Sequence, residues 1–370
     1  MKAIAITPGT QEVHIVDRPE PKLAAPDEIK LRVLRVGICG TDREEASGGR
    51  ADAPPGQKEL VIGHEMFGQV MEAGDQVQLV QPGDFGCFTV RRGCGHCPAC
   101  LNDRSDMCST GDYTERGIKQ RDGYETELVV DQLEYFVKVP KEQVPLGVLS
   151  EPTSVAEKAI DEALSVQVAR LPGAGDPQKW LEGKQVLVAG LGPIGLLAAV
   201  ALRLRGAHVL GLDVVDADSL RPKLLTQLGG KYVDGRQTKP SALDDAFGQI
   251  DMIFEATGIA HVEFDLLGSL GINGVYVLTG IPGGDRPLQI DGAALMRQLV
   301  LRNQVMIGSV NASRKHFEMA VEDLGKGYKT WGKTMEQIIT HVVPYTDFAD
   351  VLEKHPENEI KAVIEWSKPS

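Results

Sequence analysis

Apolar residues in the first part of the chain fall in short runs cut by turn-forming residues. Residues 1–6 read as a strand that ends at Pro8-Gly9, and residues 28–36, 68–73 and 125–130 read as further strands. Gly63, Gly74-Asp75, Pro82-Gly83-Asp84 and Asp122-Gly123 mark turns between such runs. Residues 1–152 are therefore expected to form a mostly β domain.

The texture changes near residue 153. Residues 154–168 carry apolar positions at helical spacing, followed by a loop with Pro172, Gly173 and Gly175. Strands and helices then alternate: strand 186–189, helix 194–204, strand 208–212, helix 219–228, and strands 251–256, 274–279 and 305–310. Such alternation implies a parallel sheet covered on both faces, hence an α/β chain with a doubly wound domain over residues 153–310. Residues 311–370 carry a helix at 314–324 and a last strand at 361–366, and are expected to return to the first domain.

Composition narrows the function classes. Of 370 residues, 42% are hydrophobic and 25% charged, as in globular proteins with a sizeable core. The net charge is −13 and no Lys/Arg run is present, which argues against a nucleic-acid partner. No apolar stretch has the length of a membrane span. The first strand is too short for the apolar core of a signal peptide. A cytoplasmic setting with reduced thiols is expected.

Gly190-Leu191-Gly192-Pro193-Ile194-Gly195 is a GxGxxG run that follows a strand and opens a helix, and Asp213 ends the next strand. Gly190 allows the tight turn, Gly192 lets the backbone approach a pyrophosphate, and Gly195 lets helix and strand pack closely. The helix N-terminus then faces the phosphates. Asp213 is placed to accept hydrogen bonds from the adenosine ribose and to repel a 2′-phosphate; a solvated strand-end carboxylate is the alternative. Val214 and Val215 offer no basic group directly after it, so NAD is expected to be preferred; Arg221 and Lys223 on the next helix could still reach a phosphate, which keeps NADP possible. Glu255-Ala256-Thr257-Gly258 and Leu278-Thr279-Gly280 end later strands, where ligands of such sheets bind.

Of six cysteines, Cys94, Cys97, Cys100 and Cys108 form a C-x-x-C-x-x-C-x7-C array. In a reducing compartment this favours a closed, structural zinc site over disulfides. Cys39, in Gly37-Ile38-Cys39-Gly40-Thr41-Asp42, and His64, in Gly63-His64-Glu65, could together hold a second zinc with an open position. Cys87 fits neither group and reads as a core residue.

These motifs, in this order, resemble the zinc-containing medium-chain dehydrogenase/reductase family over essentially the whole chain. Within it, residues 39–44, Thr114-Glu115-Arg116-Gly117-Ile118, residues 151–158 and Val310-Asn311-Ala312 resemble the glucose dehydrogenase group. The resemblance implies a GroES-like β domain (residues 1–152 and 311–370) joined to a Rossmann domain (residues 153–310), with the active site between them. It implies catalytic zinc on Cys39 and His64, with Glu65 and Glu151 ligating directly or through water. Salt-bridging for Glu65 and helix capping for Glu151 are the competing readings. Thr41 would pass the proton outward; many alcohol dehydrogenases use a His where Ser47 stands here. Thr41, Glu115, Glu151 and Asn311 would bind the sugar. Gly190, Gly192, Pro193, Ile194, Gly195, Asp213, Thr257, Leu278, Thr279, Ser309, Val310 and Asn311 would hold the dinucleotide. The implied reaction is hydride transfer from C1 of D-glucose to NAD(P), giving gluconolactone, in a homotetramer or homodimer. Sorbitol, galactose, xylose, threonine or other alcohol oxidation by the same chemistry is the main rival. A non-catalytic protein on the same fold is a second, against which the retained Cys39, His64 and Glu65 argue.

Overall fold

The computed structural model describes residues 1–283 and 287–369. They form two compact units. The first is Met1–Ser154 with Asn311–Gly325 and Ile338–Ser370, and the second is Val155–Val310 with Lys326–Gln337. The tail therefore does not return whole to the first unit. Its segment 326–337 belongs to the second, where a Cβ on Gly327 would lie 3.2 Å from both Val200 and Met335.

Among the described residues the first unit is built on a seven-stranded sheet. Its order is Phe136–Val139, Phe85–Phe88, Glu65–Ala73, Glu28–Ile38, Lys361–Glu365, Ile339–Pro344, and Leu128–Gln132 also pairs with Glu28–Ile38. In the long strand Glu28–Ile38, Ile29, Leu31 and Val33 alternate inward as a half-exposed strand requires. The register then shifts between Val33 and Arg35, and the remaining residues are almost all buried. The two consequences for function are pairings. Gly37 lies opposite Glu65, and Ile38 lies opposite Ala362.

The second unit holds a six-stranded sheet among the described residues. Its order is Lys231–Asp234, His208–Asp213, Gln185–Ala189, Ile250–Glu255, Leu270–Leu278, Val305–Gly308, and every pairing is parallel. Val186 to Ala189 are all fully buried, as expected of a strand covered on both faces. The chain winds outward from Gln185–Ala189 on one side and then resumes on the other at Ile250–Glu255. That reversal creates a switch point at the carboxyl ends of these strands, where such sheets bind ligands.

Two helices exceed their expected limits. Ser150–Arg170 begins before Pro152, because a proline in the first turn lacks only an N–H that would have no partner there. Glu151 thus sits inside the first turn. Arg314–Trp331 continues past the expected end at 324, through Gly325 and Gly327. A Cβ on Gly325 would lie 2.2 Å from the amide nitrogen at the end of the Gln143 side chain, which would have to move aside. Among the described residues no helix is long and apolar enough to cross a membrane.

Candidate active site

Strand pairing assembles the first cluster. Glu28–Ile38 delivers Cys39, which caps the helix Gly40–Ala46; its Sγ accepts from the Thr41 N–H at 3.2 Å, and its own N–H donates to Asp42 Oδ2 at 2.8 Å. The antiparallel neighbour brings His64 and Glu65 alongside. Cys39 Sγ and His64 Nε2 are 3.3 Å apart, and the donor atoms of Cys39, His64 and Glu65 all lie within 4.8 Å of one another. Tetrahedral zinc with ordinary Zn–S and Zn–N bonds sets sulfur and nitrogen about 3.6 Å apart, so Cys39 and His64 fit the metal.

The surroundings complete the cluster. Asp42, fully buried, places Oδ1 3.4 Å from His64 Nδ1, on the side of the ring away from Cys39. A carboxylate in that place orients a metal-binding imidazole. Without metal, burial and then Asp42 push the Cys39 thiol up. Burial opposes the charged form of His64, but Asp42 and Cys39 hold it well above its ordinary value. A bound cation reverses this balance by displacing the proton. Buried Lys361 donates to both oxygens of Glu65, at 2.8 and 2.7 Å, and to the Ile38 carbonyl at 3.1 Å. Glu151 is buried nearby, with its carboxyl pushed up to about 8 by burial, against His64 and with Glu65 adding to it.

The four-cysteine array folds into a second cluster. All six cysteines are free, and the sulfurs of Cys94, Cys97, Cys100 and Cys108 lie within 4.8 Å of one another. Cys94 and Cys100 are 3.9 Å apart, far beyond a disulfide bond but close to the edge of about 3.8 Å in a tetrahedron with ordinary Zn–S lengths. Backbone N–H groups of Cys100 and Ser109 bring the Cys97 thiol down to about 5. Four thiolates leave no position for a substrate.

Glu115 and Asn311 meet. Asn311 Nδ2 donates to Glu115 Oε1 at 2.7 Å, and Arg91 donates to the same oxygen at 3.0 Å. Asn311 has φ +63°, a left-handed conformation that asparagine tolerates, and its Oδ1 accepts from the Ala312 N–H. Thr41 Oγ1 accepts from Arg50 at 3.1 Å.

In the second unit the glycine run behaves as its pattern requires. Gly190 has φ +87°, and a Cβ on Gly195 would fall 1.8 Å from the Gly190 carbonyl. Gly192 is the N-cap of the helix Pro193–Leu204 with no side-chain cap, so no side chain competes for the first-turn N–H groups. Asp213 at the end of its strand is tied to the chain around it rather than merely solvated. Its Oδ2 accepts from the Leu191 N–H at 2.9 Å, its Oδ1 from the Val214 N–H at 2.7 Å, and Arg221 stands 3.6 Å away. Thr257, Leu278, Thr279, Ser309 and Val310 lie at or just beyond the ends of Ile250–Glu255, Leu270–Leu278 and Val305–Gly308.

Several partners escaped sequence reading. Asp42 was legible, standing one turn after Cys39. Lys361 had a weaker signal, as a charged residue opening an otherwise apolar strand. Arg50 and Arg91 had none, because only the fold brings them to Thr41 and Glu115.

Known proteins share this architecture. Residues 25–141 match the alcohol dehydrogenase GroES-like domain, and residues 144–366 match the glucose dehydrogenase C-terminus. Glucose 1-dehydrogenase of Methanocella arvoryzae is 35% identical, and glucose 1-dehydrogenase 2 of Vulcanisaeta moutnovskia is 38% identical, each over 99% of both chains. Haloferax mediterranei glucose dehydrogenase, solved in complex with NADP, Zn and gluconolactone, is 33% identical over 100% of both chains with a TM-score of 0.87. The chain therefore belongs to the zinc-containing medium-chain dehydrogenase/reductase family, within its glucose dehydrogenase group.

Proposed function

We propose that this protein is a zinc-dependent glucose 1-dehydrogenase. D-glucose loses hydride from C1 and a proton from the C1 hydroxyl, NAD(P)⁺ becomes NAD(P)H, and the sugar leaves as the 1,5-lactone. The observation that carries the choice of a sugar is the Glu115–Asn311 hydrogen bond at 2.7 Å. These two residues belong to the segments that resemble the glucose dehydrogenase group, and the fold brings them into contact.

Cys39 and His64 would hold the catalytic zinc, with Glu65 and Glu151 beside it, and the four lobe cysteines a structural zinc. Bound at these residues, zinc supplies Lewis acidity and the nicotinamide supplies a hydride acceptor. The protein groups do the rest. Asp42 fixes the His64 ring. Lys361 neutralises Glu65, so its charge does not stand alone in a buried site. The Thr41 hydroxyl takes the substrate proton on the lone pair that Arg50 leaves open and passes its own proton outward, a route that needs no His where Ser47 stands. Glu115 and Asn311, already held together by their own hydrogen bond, would offer sugar hydroxyls the second Glu115 oxygen and the second Asn311 amide hydrogen. In the second unit Gly190 to Gly195, Asp213, Thr257, Leu278, Thr279, Ser309 and Val310 would bind the dinucleotide. Six free cysteines suit a cytoplasmic enzyme, and the family suggests a homodimer or homotetramer.

A panel of D-glucose, D-galactose, D-xylose, sorbitol, threonine and simple alcohols, each with NAD⁺ and NADP⁺, tests this directly. Glucose should show the highest kcat/KM; sorbitol or a simple alcohol in that place would overturn the assignment.

A further inference from the structure

Glu255 is a fully buried carboxyl group to which the chemistry above gives no part. It ends the strand Ile250–Glu255, and its side chain turns back under the loop that follows. Oε1 accepts from the Thr257 N–H and the Thr257 hydroxyl, both at 2.5 Å, and from the Gly258 N–H at 3.0 Å. Oε2 accepts from the Gly280 N–H at 3.2 Å, in the turn that follows the neighbouring strand. Each of these contacts brings a hydrogen to a carboxyl oxygen, so the pocket is lined by donors on both oxygens. The backbone carbonyl of Glu255 adds two more ties to the second turn, accepting from the Thr279 N–H at 3.0 Å and the Thr279 hydroxyl at 2.6 Å.

The two turns are held at backbone contact. A Cβ on Gly280 would fall 2.3 Å from the Gly258 nitrogen and 2.6 Å from Glu255 Oε2. The first turn in turn abuts the glycine run, since a Cβ on Gly190 would lie 2.9 Å from the Ala256 carbonyl oxygen. Three adjacent strand ends thus form one surface, and the Glu255 carboxylate lies beneath two of them.

We propose that Glu255 is a positioning residue for the nicotinamide half of the dinucleotide, acting through the Thr257-Gly258 and Thr279-Gly280 turns. It rests on the dinucleotide reading of this unit. In a doubly wound sheet the two halves of the cofactor lie on either side of the switch point. Asp213 marks the adenosine side, so the ends of Ile250–Glu255 and Leu270–Leu278 serve the other half. Glu255 fixes the spacing of those turns before the cofactor arrives, which removes part of the ordering cost of binding.

The test compares two ligands on the zinc-loaded enzyme. In Glu255→Gln an amide oxygen can replace one carboxylate oxygen, but the NH₂ group then faces an N–H donor and one turn is released. Titration calorimetry should show the Kd for NADH rising about tenfold while the Kd for ADP, which occupies only the adenosine side, changes less than twofold. Glu255→Asp keeps the charge but is one methylene short of spanning both turns, and should show the same pattern more weakly. It serves if the glutamine variant does not fold. Equal weakening of NADH and ADP would mean that Glu255 merely stabilises the unit, and unchanged NADH binding would mean that the turns do not need it; either overturns the proposal. A wild-type protein binding neither ligand would overturn the dinucleotide reading itself, a failure visible before any variant is made.

Discussion

Lys361 and Glu65 form a buried ion pair across 296 residues of sequence, with the ammonium donating to both carboxylate oxygens at 2.8 and 2.7 Å. It ties the last strand to the motif that supplies His64. Removing one member of a buried pair leaves a charge without compensation and costs roughly 3–5 kcal/mol. Lys361→Met is therefore expected to lower unfolding stability by about that much in denaturant titrations. A loss under about 1 kcal/mol would show that Glu65 is neutralised some other way.

The two thiol-containing clusters should respond differently to loss of a ligand. Cys97→Ser opens a closed four-thiolate site, so its main effect is a lowered Tm and faster inactivation. Cys39→Ser should leave Tm within a few degrees but abolish turnover. Metal analysis should find two zinc ions per wild-type chain and one in each variant. Active enzyme without zinc would contradict the assignment of both clusters.

Much of this was legible in the sequence because it is local. The glycine run, the Cys94 to Cys108 array and the β-α alternation each carry their own signal within a short stretch. Cys39 and His64 could be paired only by resemblance, since nothing local says that residue 37 lies opposite residue 65. Lys361 reaches Glu65 through the same sheet, and Arg91 reaches Glu115 only after both are folded. The helix Ser150–Arg170 extends beyond the periodic stretch 154–168, and its first turn accommodates Pro152 because a proline there costs a helix little. Residues 326–337 follow the helix Arg314–Trp331 into the second unit, and no composition change marks that passage.

Asp213 is expected to repel a 2′-phosphate, with Arg221 and Lys223 on the next helix as the basic groups able to offset it. Arg221, 3.6 Å from its carboxylate, now offers that offset. NAD should still be favoured, but by less than an unpaired carboxylate would give. Arg221→Ala should widen the ratio of NAD to NADP affinities by about tenfold, or roughly 1.4 kcal/mol. Fluorescence titration with each reduced cofactor reads this ratio directly. A ratio unchanged by the substitution would place Arg221 outside the reach of the phosphate.

Acid stability should depend on Asp131. Burial opposes its charge, yet Arg116 and Arg92, each 2.6 Å away, bring its carboxyl down to about 2 from an ordinary 3.8. A carboxyl depressed on folding contributes stability that is complete above its unfolded value and lost as pH falls through its folded one. The contribution, on the order of 2 kcal/mol, should therefore hold at pH 5 and disappear between about pH 4 and pH 2. In Asp131→Asn this part of the pH dependence should be missing, as measured by denaturant unfolding at a series of pH values. An identical slope in both proteins would assign the acid sensitivity elsewhere.

The most direct measurement is the fate of the hydrogen on C1 of glucose. With D-glucose deuterated at C1 and oxidised nicotinamide cofactor, the deuterium should appear in the reduced cofactor, gluconolactone should form in equal amount, and both should vanish in Cys39→Ser. Reduced cofactor formed from sorbitol or a simple alcohol but not from glucose, or formed from glucose without deuterium, would contradict hydride transfer from C1.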